Sequence, residues 1–212
     1  MPDDGLICQT VVKIGGSLFD LPDLATRLCR WLDIQPKGPL LVVPGGGGLA
    51  DAVRDLDRRH RLGEKRAHWL ALGALALNAR FLEALLYPMA RVVASWKTCP
   101  RVWRAGKVAI ADVYPFLQED EGRDGCLPAN WSVTSDSVAA RLAVLGRARQ
   151  LILLKSVTVP ENIDWTEAGR LGFVDAYFAE ALAQARLKDG QTVAVQTVNF
   201  RKWGQGRKSR RG

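Results

Sequence analysis

Twice within its first 50 residues this chain runs an apolar, β-forming segment straight into glycines and then into a helix, first as "TVVKIGGS" from Thr10 and again as "LLVVPGGGG" from Leu40. This alternation narrows the fold more than any other feature. Strand, helix and strand of the same kind form the βαβ unit, in which the helix carries the chain back so that the two strands lie parallel. The four glycines in a row are costly, because each loses more backbone freedom on folding than any other residue, about 0.5–1 kcal/mol worse than alanine in a regular element. Such a run needs a local reason, either a steep turn or the close approach of something to bare backbone.

The alternation continues down the chain. "SLFDLPDLATRLCRWLD" reads as a helix with Pro22 in its first turn and with Leu24, Leu28, Trp31 and Leu32 on one face. After the second strand, Leu49, Ala52, Val53 and Leu56 give the next helix its apolar stripe. "EKRAHWLALGALALNARFLEALL" is apolar nearly all round, as expected of a helix buried against a sheet. "RVVAS" and "KVAIAD" read as strands, "QEDEGRDGCLPANW" as a polar loop, and "SDSVAARLAVLG" as a helix with Val138, Leu142 and Leu145 on one face. "QLILLKSVTV" then reads as strand, "VDAYFAEALAQARL" as helix and "QTVAVQTV" as the last strand. The expected fold class is α/β, a three-layer α/β/α sandwich with a mainly parallel central sheet, in one domain over residues 1–200.

Composition excludes several alternatives. The chain has 212 residues, 48% hydrophobic and 25% charged, which is ordinary for a globular protein and not for a disordered or fibrous one. Its net charge of +8 suggests nucleic acid, but six basic residues and no acidic one fall in residues 201–212, "RKWGQGRKSRRG", so the body is nearly balanced. A solvated, flexible tail is the plain reading of that end, and an RNA- or partner-binding arm is the alternative. Cys8, Cys29, Cys99 and Cys126 are scattered, without a C-x-x-C pair or clustered histidines, so no metal site and no disulfide framework is assigned. Reduced thiols, no basic leader and no long apolar run give the expectation of a cytoplasmic chain without membrane association.

The sheet gives the glycines a place. In open parallel sheets the loops leaving the carboxyl ends of the strands line the ligand crevice, and backbone N–H groups at a glycine loop entering a helix make an anion site. Either loop taken alone is equally explained by tight strand-to-helix packing. No G-x-x-x-x-G-K-[ST] occurs and no G-x-G-x-x-G follows the first strand, so P-loop and dinucleotide-binding readings lack their motifs.

"VVKIGGS", then "VVPGGGG", then "TSDSVAARLA" ahead of "LILLKS" is an ordered set, and it resembles the amino acid kinase family, which includes acetylglutamate, aspartate, uridylate and isopentenyl phosphate kinases. The resemblance implies an ATP-dependent phosphotransferase using Mg2+, as a homodimer or larger homo-oligomer. It assigns Lys13 to the phosphates of ATP and to the transferring group, with Gly15, Gly16 and Ser17 as the adjoining amide loop. It assigns Gly45, Gly46, Gly47 and Gly48 to the acceptor and the transferred phosphoryl group, and Asp136 to orienting the lysines by charge pairing. Ser132 and Thr134 stand where acetylglutamate kinases often carry asparagines, toward the acceptor or its phosphate. Simpler readings stand beside these: Lys13 as a snorkelling lysine and Asp136 as a carboxylate complementing a helix dipole.

The departures from the family pattern also carry weight. "EAGRLGFVDAYFAEAL" has Phe173 and Asp175 and no lysine where many members carry a second transition-state lysine. Lys155, where relatives commonly have threonine or aspartate near the nucleotide, is assigned to supply that charge and to contact the nucleotide. The "D-G-V" nucleotide hairpin becomes "SVTVPENIDW", a shortened lobe. Together with "AHWLALGALALNARFL" and "WSVTSDSVAARLA", these features resemble the aminomethylfuranyl methyl phosphate kinase branch of methanofuran-type cofactor synthesis, whose members convert a phosphate monoester into a diphosphate. That resemblance implies a small phosphate-ester acceptor, with His68 and Trp131 as candidate contacts. His68 reads equally as a core histidine, Trp131 equally as an apolar cap on its loop, and His60 as solvated. The competing functions are a catalytically inactive nucleotide-binding regulatory domain and an RNA-binding protein acting through the tail.

Overall fold

The chain runs β1 (Thr10–Ile14), a 3-10 turn (Gly16–Leu18), α1 (Leu24–Asp33), β2 (Leu40–Pro44), α2 (Gly47–His60), α3 (Glu64–Leu85), β3 (Ala90–Val93), α4 (Cys99–Arg104) and β4 (Val108–Ala111). It continues through α5 (Val113–Asp120), α6 (Ser135–Leu145), β5 (Gln150–Lys155), α7 (Trp165–Arg170), α8 (Phe178–Ala183) and β6 (Ala194–Asn199). This computed structural model describes residues 7–184 and 192–205. The strands hydrogen-bond in the order β3-β4-β2-β1-β5-β6, and every pairing is parallel.

The near-continuous apolar strands follow from that arrangement, since a parallel sheet is covered on both faces. Val11, Leu41, Val43, Leu151 and Leu153 share one core with Val138 and Leu142 of α6. Val12, Ile14, Val42, Ile152 and Leu154 share the other with Leu24, Leu28 and Trp31 of α1. Each fully buried leucine side chain is worth about 1.5–3 kcal/mol relative to exposure. Because side chains alternate along a strand, Lys13 and Lys155 fall on the α6 side with Val11 and Leu151. Across that layer, Arg141 of α6 forms a two-pronged buried pair with Asp120 of α5, 2.7 and 2.8 Å, and donates to the Asp124 carbonyl at 2.9 Å.

Several expectations change. Pro22 lies ahead of α1 rather than in its first turn, because residues 16–18 form a separate 3-10 turn and Asp23 takes the N-cap position. The α2 stripe is not a core face: Leu49 and Leu56 are exposed and only Ala50 is buried, because α2 packs on α3 and not on the sheet. Helix α3 is buried along one face only, with Leu70, Leu77 and Phe81 exposed. The sequence reading passed over α4, α5 and α7, helices of six to eight residues, too short to show a full period. The residues at the start of the expected polar loop belong to α5. The expected helix from Val174 shortens to α8, and residues 185–191 lie outside the described set, as do 206–212 of the expected tail. Residues 201–205 are not loose. Arg27 donates to the carbonyls of Phe200, Arg201 and Trp203, and Trp203 stacks on the fully buried Phe200. Among the described residues no helix is long and apolar enough to cross a membrane.

Candidate active site

Strand period and helix placement bring three charged side chains together beneath the carboxyl end of the sheet. Lys13, one residue before the end of β1, reaches Oδ1 of Asp136 at 2.8 Å, and Lys155, the last residue of β5, donates to Oδ2 at 2.7 Å. All three are buried, at 5%, 5% and 8% exposure for Lys13, Asp136 and Lys155, and the contacts leave one positive charge in excess of the carboxylate. Asp175 is the next carboxylate, near enough to attract Lys155 but spent on the start of α6, so two ammoniums on one shared carboxylate still favour an anion at the open side. Burial alone would push the Asp136 carboxyl up, but the ammoniums of Lys13 and then Lys155 more than offset this and hold it below the ordinary carboxylate value. Burial, with repulsion from Lys13 second, pushes Lys155 down to about 8, against the attraction of Asp136.

Asp136 sits in the first turn of α6, whose start is fixed from outside. Asp175 accepts from the backbone N–H groups of Thr134 and Ser137 at 3.0 and 2.9 Å and from both their hydroxyls. So the segment lacking the expected lysine carries a carboxylate that satisfies helix-start donors and thereby sets Asp136. In the sequence Asp175 stands out only as a residue where lysine is expected, and since Thr134 is itself an ordinary N-cap residue, nothing there signals a cap from 41 positions away.

The two glycine loops touch each other. A Cβ on Gly16 would stand inside contact distance of Gly47 N, one on Gly45 inside that of Gly16 N, and one on Gly47 would lie 2.8 Å from the Gly16 carbonyl oxygen. Gly15 has its own neighbour, the Leu154 carbonyl at 2.9 Å from an added Cβ. Gly46 faces Ala50 and Leu75, and only Gly48 opens onto free space. The bare backbone therefore serves loop-to-loop packing at Gly16, Gly45 and Gly47, helix packing at Gly46, and a left-handed backbone at Gly47 (φ +52°). This amends the expectation that the whole second run is bare for a phosphoryl group. Asn78, a buried polar residue in the apolar run of α3, donates to the carbonyls of Gly45 and Gly46, both at 2.8 Å. Sequence reading missed it, although one asparagine within a leucine- and alanine-rich helix signals a required partner.

Beside this junction lies a cleft of about 180 Å³, lined in part by Gly16, Ser17, Gly46, Gly47, His68 and Trp131. The N-terminus of α2, a 14-residue helix, opens at the same loop. His68 contacts the Asn130 carbonyl through Nδ1 at 3.1 Å; the ring nitrogen must donate to that oxygen, which leaves Nε2 as an acceptor in the neutral ring. Burial pushes the His68 pKa down and so favours that neutral form. Trp131 donates to Asp57 at 2.8 Å and carries the Arg54 guanidinium 4.9 Å from its ring centroid. Thr134 lines the cleft, but Asp175 takes its hydroxyl; Ser132 does not line it, and its hydroxyl bonds Asn130. Ser17 donates to Ser156 at 2.9 Å, joining the first glycine loop to the end of β5.

Paired glycine loops at the ends of parallel strands, above two lysines sharing one carboxylate, define an α/β protein with a cationic crevice at the carboxyl end of its sheet. The chain belongs to the amino acid kinase family, whose model matches residues 9–158. It is 35% identical over 109 residues to a uridylate kinase of Aeropyrum pernix, covering 49% of this chain and 48% of that one. It is 26% identical over 151 residues to the [5-(aminomethyl)furan-3-yl]methyl phosphate kinase of Methanocaldococcus jannaschii, covering 69% of this chain and 65% of that one. The matched region thus spans less than two thirds of either curated relative. In fold it is similar to the uridylate kinase of Archaeoglobus fulgidus (TM-score 0.58, 18% identity, 90% of this chain and all of that one). The UMP kinase of Bacillus anthracis is a second neighbour (TM-score 0.61, 13% identity, 93% and 89%).

Proposed function

We propose that this protein transfers the γ-phosphoryl group of ATP to a small phosphate monoester, an acceptor oxygen forming the new P–O bond as the bond to ADP breaks, to give a diphosphate. The observation that carries this reading is the buried Lys13–Asp136–Lys155 array, with two ammoniums on one carboxylate, set against two glycine loops. Phosphoryl transfer asks a protein mainly to position anions and to neutralise charge spreading over the moving oxygens. In this reading Lys13 and Lys155 bear on the transferring phosphoryl group, Asp136 holds both in register, and Gly16 and Ser17 present amides to the nucleotide, the expected third amide, that of Gly15, being taken by the Leu154 carbonyl at 2.9 Å. The Gly46 and Gly47 side of the cleft meets the acceptor phosphate at the start of α2.

Both curated relatives are named for phosphate monoester acceptors, a uridylate and an aminomethylfuranyl methyl phosphate. The cleft volume of about 180 Å³ favours the smaller; it lies under the roughly 300–1,000 Å³ of sites for drug-sized ligands. Among the described residues no three carboxylate, histidine or cysteine side chains gather as a metal cage. Asp136 and Asp175 are already occupied by lysines and by the start of α6. These residues do not fit a protein-held magnesium, and Mg2+ enters this reading only as the counter-ion of ATP. A homo-oligomer is part of the proposal by family likeness. The test is purified protein with Mg-ATP and a panel of small phosphate monoesters, uridylate included, following ADP and diphosphate. Turnover of a small monoester above uridylate is expected, and no turnover of any member would reject the reading.

A further inference from the structure

The C-terminal end of the described chain is fastened to the loop proposed to hold the nucleotide phosphates. One guanidinium nitrogen of Arg201 donates to the Ser17 carbonyl at 2.6 Å and meets both carboxylate oxygens of Asp20 at 2.7 Å, so the side chain straddles the 3-10 turn that follows β1. Among the described residues that carbonyl has no backbone partner: Gly15 and Gly16 accept from Leu18 and Phe19 within the turn, and Leu18 accepts from Leu21. The anchor behind Arg201 is firm. Phe200 is fully buried and donates its N–H to the carbonyl of Lys155 at 2.7 Å. Arg27 of α1 and Gln205 both donate to the Arg201 carbonyl, at 3.0 and 2.7 Å. Residues 199–205 therefore bridge the first glycine loop and the strand end that carries Lys155, the same two segments joined by the Ser17–Ser156 hydrogen bond.

We infer that Arg201 is a positioning residue for the phosphate loop: by holding the Ser17 carbonyl and Asp20 it fixes the 3-10 turn that carries the amides of Gly16 and Ser17 and sets them relative to Lys155. The inference rests on the kinase reading and extends it to a residue that touches no substrate. Its ion pair with Asp20 is largely exposed and adds little to stability by itself. The effect belongs instead to loop geometry, where a misplacement of about 1 Å can cost up to roughly 100-fold.

The experiment compares the full chain with Arg201→Ala and Arg201→Lys by ADP calorimetry, steady-state kinetics and amide hydrogen exchange. Arg201→Ala is expected to speed exchange at Leu18 and Phe19 but not at Ala50, and to weaken ADP binding and raise the KM for ATP about 10-fold or more. The acceptor KM should stay within about twofold and the melting temperature close to wild type. Arg201→Lys, which keeps the charge and one donor nitrogen on a shorter, rounder head, should fall between the two. Unchanged exchange and unchanged ATP KM in Arg201→Ala would overturn the role of Arg201 while leaving the kinase reading in place. If the wild type binds no nucleotide although its exchange shows the clamp, the phosphate reading falls, and the positioning role with it.

Discussion

Lys155 titrates in a range where a solvated lysine does not. Its pKa is pushed to about 8 by burial and by Lys13, and the charged form is the one that serves a phosphoryl group. The kcat/KM for ATP should therefore fall as the pH rises through about 8, and Lys155→Arg, which stays charged, should flatten that limb. An identical limb in Lys155→Arg would assign it elsewhere. Lys155→Met should lower kcat roughly 100- to 1,000-fold and move the KM for ATP much less, the pattern of an interaction strengthened in the transition state. Stability runs the other way. The unfolded chain holds the Lys155 proton up to the ordinary 10.5, so between about 8 and 10.5 it binds more protons than the folded chain, and this residue favours folding increasingly as pH rises through that window. Lys13 was legible in the sequence because a charged residue in an apolar strand beside glycines has few structural uses. The pairing of Asp136 with active-site lysines came from family likeness, and only the geometry shows that Lys155 is one of them, sharing that carboxylate with Lys13. Arg201 was illegible for a physical reason: at the head of a basic terminal run nothing in the sequence separates a clamp from a solvated charge.

Among the elements, α2 shows how far periodicity carries. Its helix was legible from spacing, but the choice between sheet and α3 as its neighbour was not, and Leu49 and Leu56 ended outside the core. The glycines at its start separate by substitution. Gly48→Ala places a methyl in open space in the first turn of α2, and should stabilise the protein by up to about 1 kcal/mol while raising the acceptor KM if phosphate meets that backbone. A raised melting point with unchanged acceptor KM would remove Gly48 from the acceptor site. Gly46→Ala drives a methyl against Ala50 and should destabilise by about 1–3 kcal/mol whatever the ligand, as read by urea unfolding. Asn78→Leu strands the buried Gly45 carbonyl and leaves Gly46 only its long bond from the Ala50 N–H, and should cost about 1–3 kcal/mol at constant fold.

The molecule as a whole is a two-core sandwich whose α6 layer also carries a buried ion pair. Removing one partner of Arg141–Asp120 leaves the other charge buried, so Arg141→Met should destabilise by roughly 3–5 kcal/mol, measured by chemical denaturation, whereas a joint apolar replacement of both should recover much of the loss. The mutual contact of Gly16, Gly45 and Gly47 has a different consequence, which concerns heredity and not energy. No side chain separates these peptides, so a saturation library sorted only for soluble folded protein should already return glycine at all three positions before any substrate is offered. Variation there would carry no record of which acceptor a lineage has used. That record would have to be sought at open positions such as Gly48 and along the cleft wall at His68 and Trp131, where a change of chemistry leaves the backbone junction intact.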